Sequence, residues 1–212
     1  MKRLYCISGL GADHSVFQKV KLPDTELVPV PWPAFSKSDD VASYAQKVSA
    51  NIPGEKPSIL GLSFGGMLLM EIAKKRPLDR VFLVSSVKTS SEFAEPSGLL
   101  KFVFNTNIVP ASFYTMTSSK MDAMFGAKTD EEKALLHKII KNSDGHFMKW
   151  ALHALIKWRN DVYPRNTIHI HGTADKIIPP TNVKPDYWIE GGEHLMIYSR
   201  ADEINRILGM HI

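Results

Sequence analysis

The six residues Gly61-Leu62-Ser63-Phe64-Gly65-Gly66 constrain this chain more than any other stretch. A short apolar run, Ser58-Ile59-Leu60, precedes them. A longer, helix-like run, Met67-Leu68-Leu69-Met70-Glu71-Ile72-Ala73, follows. A Gly-x-Ser-x-Gly between a strand and a helix has two readings. Either the glycines let the chain turn past a bystander serine, or they hold Ser63 where it attacks a substrate. On the second reading the serine sits strained in a sharp turn, and a side chain at Gly61 or Gly65 collides with the adjoining strand and helix. The turn also aims the first amides of the helix at the place where negative charge develops. A phosphate loop fits less well, because the Lys-Ser/Thr that follows the last glycine of a Walker motif is missing.

The surrounding pattern predicts the sheet that carries this turn. Residues 3–7, 26–30, 58–62, 79–84, 167–170 and 187–189 read as strands, and residues 39–50, 64–75 and 201–208 as helices. The strand runs are continuously apolar rather than alternating, which argues for a parallel sheet covered on both faces. The expected fold class is α/β: a doubly wound, mostly parallel six-stranded sheet with helices on both faces and an inserted helical cap. Residues 1–87 and 166–212 form the expected core and 88–165 the cap, within one structural domain. In the cap, Thr129-Asp130-Glu131-Glu132 reads as a capping box. Phe147, Trp150, Ala151, Ala154, Leu155 and Trp158 follow helical spacing and read as a packing stripe.

Charge and cysteine content exclude several functions. The net charge is +4, but the basic residues are scattered, so no nucleic-acid partner is expected. Lys74-Lys75-Arg76 falls at a helix end, where it offsets the dipole. A single cysteine, Cys6, rules out an intrachain disulfide and offers no metal-ligand spacing. The apolar run after Lys2 and Arg3 is about five residues, short of the roughly 7–15 of a secretory core. No run approaches the roughly 20 apolar residues of a membrane span. A cytoplasmic protein without a membrane partner is expected.

A lone serine is a poor nucleophile and needs a base and an orienter. In this kind of sheet the expected chain order is Ser, then Asp/Glu, then His. Asp175 lies in Gly172-Thr173-Ala174-Asp175-Lys176-Ile177-Ile178-Pro179, just past the fifth predicted strand. His194 lies in Gly191-Gly192-Glu193-His194-Leu195-Met196, just past the sixth. Three residue types in the right order, each beyond a strand end, make a bystander serine a poor explanation.

On these residues the chain resembles the α/β-hydrolase family along essentially its whole length. The resemblance implies Ser63 as nucleophile, His194 as general base and then acid, and Asp175 as the group that fixes the His194 tautomer and stabilises its cation. Ser8-Gly9-Leu10-Gly11 follows the first strand and matches the family's oxyanion loop. The resemblance implies backbone N–H donors at Leu10 and Phe64. Ser8 stands where that loop commonly has a histidine, which leaves the loop's shape open. The family's early antiparallel strands are missing from the pattern.

Other candidates carry less. Glu193 adjoins His194, but side chains of adjacent residues diverge, so Asp175 is the better orienter. His169 and His171 share a strand face without a third ligand at metal spacing. His14 reads as a solvated loop residue, and His137, His146 and His153 as surface or packing residues of the cap. Family members that use Asp at the elbow, the dehalogenases and epoxide hydrolases, are disfavoured. The expected activity is cleavage of a carboxylic ester or similar small acyl substrate, without cofactor or metal. Thioester hydrolysis or acyl transfer by the same triad is the nearest enzymatic alternative. A binding protein or receptor with little turnover is the non-enzymatic one. Phe93, Leu99, Phe102, Phe104, Phe113 and Met116 in the cap suggest an apolar acyl or alcohol moiety.

Overall fold

The computed structural model describes residues 1–93 and 110–212. Leu99, Phe102 and Phe104 lie outside the described residues. Six strands form one sheet: β1 Lys2–Ile7, β2 Thr25–Pro29, β3 Ser58–Leu62, β4 Val81–Val84, β5 Thr167–Gly172 and β6 Tyr187–Ile189. Their order is β2-β1-β3-β4-β5-β6, and every pairing is parallel. The helices among the described residues are α1 Val41–Ser49, α2 Phe64–Ala73, α3 Ser119–Phe125, α4 Asp130–Asn142, α5 Gly145–Lys157, α6 Met196–Ser199 and α7 Ala201–Gly209.

Strand alternation sorts the core into two layers. Tyr5, Ile7, Ile59, Val81 and Leu83 face α1 and α2, meeting Tyr44, Val48, Leu68 and Ile72. Leu4, Cys6, Leu60, Phe82 and Val84 face the opposite way, onto Phe17, Ile204 and Leu208. Cys6 is buried there, and burial pushes its thiol up to about 12. Because both faces are covered, the buried run of β4, Val81-Phe82-Leu83-Val84, is apolar at every position rather than at every second one.

The described part of residues 88–165 contains helices and short 3₁₀ turns and no strand. α4 starts at the expected capping box: Thr129 Oγ1 accepts from the Glu132 N–H at 3.2 Å, and Glu132 Oε2 accepts from the Thr129 N–H at 3.0 Å. Its Leu135, Leu136, Ile139 and Ile140 join the second layer. The stripe Phe147, Trp150, Ala151, Ala154 and Leu155 on α5 joins the first, as does Trp158, which gives its indole N–H to Glu71 at 2.8 Å. The stripe is packing, and the inserted helices extend both faces of the core. Phe113 and Met116 are exposed, whereas Phe93 packs against the first layer.

From β1 the chain runs outward to β2 and then returns to β3 on the other side of β1. Such a reversal opens a crevice at the carboxyl ends of the two strands, where ligands of open α/β sheets bind. Ser8–Gly11 leaves β1 at that crevice, and Ser63 leaves β3.

Candidate active site

Ser63 is the single residue between β3 and α2, with φ 50° and ψ −118°. A non-glycine residue there stores about 1–3 kcal/mol, so its surroundings must hold it. The Ser63 N–H donates to Val84 O at 3.0 Å. Its carbonyl accepts from Ser86 Oγ at 2.7 Å and from the Gly66 N–H at 2.9 Å. The glycines are required by contact. A Cβ at Gly61 would lie 2.5 Å from Gly66 Cα, and one at Gly65 would lie 2.3 Å from Ser8 O. Both obstacles are backbone, which cannot swing aside.

The acid and histidine loops are stitched together before either side chain is considered. The Thr173 N–H donates to Ile189 O at 3.0 Å and the Ala174 N–H to Gly192 O at 2.9 Å. A Cβ at Gly172 would lie 2.1 Å from Gly192 O, so this closeness depends on glycine. The arrangement brings His194 Nδ1 within 2.8 Å of Asp175 Oδ2, and His194 Nε2 within 3.0 Å of Ser63 Oγ. Asp175 Oδ1 is filled separately, by the N–H groups of Ile177 and Ile178 at 2.9 Å each.

Asp175 is 3% exposed. Burial by itself would raise its carboxyl, but the neighbouring His194, by charge and by hydrogen bond, then the Ile178 N–H and His171, hold it below its ordinary value. An ionised Asp175 only accepts, so the proton of the His194–Asp175 bond sits on Nδ1. Nε2 is then the acceptor facing Ser63. His171 lies behind the pair, with Nε2 donating to Ile178 O at 3.0 Å. Burial holds His171 below its ordinary value and pushes His169 down to about 3. Among the described residues no group of three or more His, Cys, Asp or Glu side chains is arranged to hold a metal ion.

The loop after β1 adjoins the serine: a Cβ built on Gly9 would stand 3.4 Å from Ser63 Cβ. Ser8 explains how the loop keeps its shape without a histidine. Its hydroxyl donates to Ala12 O at 2.5 Å, the Ala12 N–H donates to Gly9 O at 2.9 Å, and Trp32 Nε1 donates to the same Ala12 carbonyl at 3.0 Å. The Trp32 ring then stacks on Phe64, 6.0 Å away. The Leu10 N–H makes no hydrogen bond within the described residues. The Phe64 N–H heads α2, where helix geometry provides no acceptor.

The other sequence candidates separate from this cluster. Glu193 binds Lys128 at 3.0 Å and Lys176 at 3.3 Å and makes no hydrogen bond to the imidazole, whose nitrogens face Asp175 and Ser63. His14 and His146 are exposed, and His137 pairs with Asp122 at 2.6 Å. Ser86, Trp32 and Phe125, whose ring meets His194 edge-on at 5.5 Å, were not legible as site residues. Each acts through contacts distant in sequence, which leave no local pattern. A separate concavity of about 770 Å³ lies between α1 and α5, lined by Phe35, Trp150, His153 and Lys157 among others, and contains no triad residue.

No protein-family model matches the chain, and no curated protein matches it in sequence. Its three-dimensional relatives are clear. A lipase-esterase related protein from Clostridium acetobutylicum ATCC 824 superposes with a TM-score of 0.73 at 15% identity, over 100% of this chain and 94% of that one. A bromoperoxidase from Bacillus anthracis gives 0.71 at 14% identity, over 99% and 91%. An N-acyl homoserine lactonase complexed with N-butanoyl homoserine gives 0.67 at 13% identity, over 99% and 88%. The chain has a minimal α/β-hydrolase fold. Among the described residues no helix is long and apolar enough to cross a membrane.

Proposed function

We propose that the chain is a serine hydrolase that cleaves a carboxylic ester or a related small acyl compound. The observation that carries this reading is the unbroken hydrogen-bond chain Asp175–His194–Ser63, set at the tip of a strained strand-to-helix turn. A structural serine has no need of that strain. Esterase, lipase and lactonase neighbours support an acyl substrate.

In the proposed reaction Ser63 Oγ attacks the substrate carbonyl while His194 Nε2 takes its proton. Negative charge moves to the carbonyl oxygen, which the N–H groups of Leu10 and Phe64 stabilise. His194 returns the proton to the departing alcohol, leaving Ser63 acylated. Water, deprotonated by His194, then releases the acid. Asp175 keeps Nδ1 protonated and stabilises the imidazolium in both halves. Residues 88–165 form the specificity insert on this reading.

The test is turnover of an activated ester, followed by a panel of esters and thioesters of graded chain length. The expected result is a measurable kcat, with kcat/KM falling on the acid side, since a general base must be unprotonated to act. No turnover of any acyl substrate would leave the fold without this function.

The oxyanion assignment has its own prediction. Leu10→Ala keeps the N–H and is expected to change the chemical step little. Leu10→Pro removes the donor. It is expected to lower kcat on the order of 10²–10³-fold, the usual cost of one such donor. Thermal melts and binding of a non-reactive substrate analogue control for loop distortion. A Leu10→Pro protein that folds normally and turns over near the wild-type rate moves the donor elsewhere.

A further inference from the structure

The loop that carries His194 begins on a permissive backbone. Gly191, at φ 66°, and Gly192 lead directly into its loop. Beyond its backbone bonds to the acid loop, the side-chain ties of this loop converge on Glu193, which is 8% exposed. Lys176, next to Asp175 in the acid loop, reaches the Glu193 carboxylate at 3.3 Å. Lys128, between α3 and α4, reaches it at 3.0 Å. Lys176 also donates to Ala123 O within α3 at 3.0 Å.

The C-terminus of α3 is fitted against the same loop. It ends at Gly126 with φ 77°, and a Cβ there would stand 2.2 Å from Glu193 Cβ. The Leu195 N–H donates to Phe125 O at 2.9 Å. The Phe125 ring meets the imidazole edge-on, with an interplanar angle of 76°. α3 is itself tied to α4 through Asp122 and His137. The residues on both sides of His194 are therefore bonded to the insert. The residue beside Asp175 is bonded to the same carboxylate.

We propose that Glu193 is a positioning residue for His194. It joins the acid loop through Lys176 and the insert through Lys128, so that α3 holds the imidazole in line between Asp175 and Ser63. The Nδ1 position is already taken by Asp175, so Glu193 works through the loop and not through the ring. The inference rests on the hydrolase reading for its effect on rate, but the geometry it describes is measurable without substrate. A misplacement near 1 Å in such a site can cost about 10²-fold. The lysine partners are largely solvent-exposed and screened, which limits the loss.

The experiment compares Glu193→Gln, Lys176→Met, their double variant and Lys176→Arg in the full chain. Glu193→Gln is expected to lower kcat about 3–10-fold with KM within about twofold, because the tie acts on the base and not on the substrate. Lys176→Met should lose a similar factor, and the double variant little more than either, since the two residues share one interaction. Lys176→Arg should keep the wild-type rate. The second readout is the His194 Nδ1–H proton resonance, assigned by its loss in His194→Gln. It is expected to shift or broaden in Glu193→Gln while the melting temperature stays within about 2 °C, on the order of 1 kcal/mol or less for a chain of this size. This signal needs no turnover, so it tests the tie even if the chain hydrolyses no ester. An unchanged resonance, additive losses in the double variant, or a rate loss that only tracks a fall in melting temperature would each overturn the proposal.

Discussion

Alanine at position 63 is expected to abolish single-site labelling by a fluorophosphonate and to lower kcat for an activated ester about 10⁶-fold, as for other serine nucleophiles. The effect is large because three features converge on one oxygen. The turn exposes it, His194 Nε2 accepts its proton at 3.0 Å, and the head of α2 meets the charge that develops. Ser63→Gly separates strain from chemistry. It should be equally inert, yet glycine adopts φ 50° without penalty, relieving about 1–3 kcal/mol of strain. Part of that gain is lost to the greater freedom of glycine in the unfolded chain, about 0.4–1 kcal/mol. The glycine variant should therefore melt above the alanine variant, by about 2–4 °C for each net kcal/mol. Labelling of Ser63→Ala equal to wild type would remove this residue from the mechanism. Equal melting of the two variants would bound the strain at no more than the cost of glycine's freedom, about 0.4–1 kcal/mol.

Asp175→Asn is the second large effect, with kcat expected to fall on the order of 10⁴-fold in a protein that still folds. The amide replaces an acceptor that fixes the Nδ1–H tautomer, so Nε2 no longer faces Ser63 as a base. Stability should carry a pH signature of the same carboxylate. The Asp175 carboxyl is held below its ordinary value in the fold, so the unfolded chain binds that proton more readily. The stability it contributes is fully present above the ordinary carboxylate range. It is lost as pH falls through the depressed folded value, and Asp175→Asn should flatten that part of the acid limb. Activity within a few-fold of wild type would redirect attention to Glu193 or another acid.

The fold was legible because the buried parts of the strands are apolar on both faces, most plainly in Val81-Phe82-Leu83-Val84, a pattern that survives without tertiary information. All six strands fall where such runs stand, and Thr129 and Glu132 cap α4 as their spacing predicts. The meeting of Ser63, Asp175 and His194 was legible for a related reason: glycine spacing and the order of strand ends are one-dimensional. What sequence could not show was how distant loops are braced. Ser86 supports the Ser63 carbonyl, and Trp32 closes the loop that Ser8 starts. Glu193 stood in the sequence only as a rival to Asp175, since its partners Lys128 and Lys176 are 65 and 17 residues away and carry no spacing signal. The same holds for the strand alternation that sends α4 and α5 to opposite faces of the sheet.

The buried thiol of Cys6 gives this molecule a built-in stopwatch. Cys6 is the only cysteine, lies on β1 between β2 and β3, and is 2% exposed. With its thiol pushed up to about 12, almost no thiolate exists near neutral pH while the sheet is closed. A thiol-specific reagent can therefore react only when the layer packed over this face of β1 opens, and the rate of modification reports the free energy of that opening, or its rate where modification outruns reclosing. Residues Ser8 to Gly11, the proposed oxyanion loop, continue the same strand, so the signal comes from the segment that borders the crevice. A ligand that bridges the β1 and β3 loops should slow it in proportion to occupancy, which turns one silent cysteine into a label-free screen for what the crevice accepts.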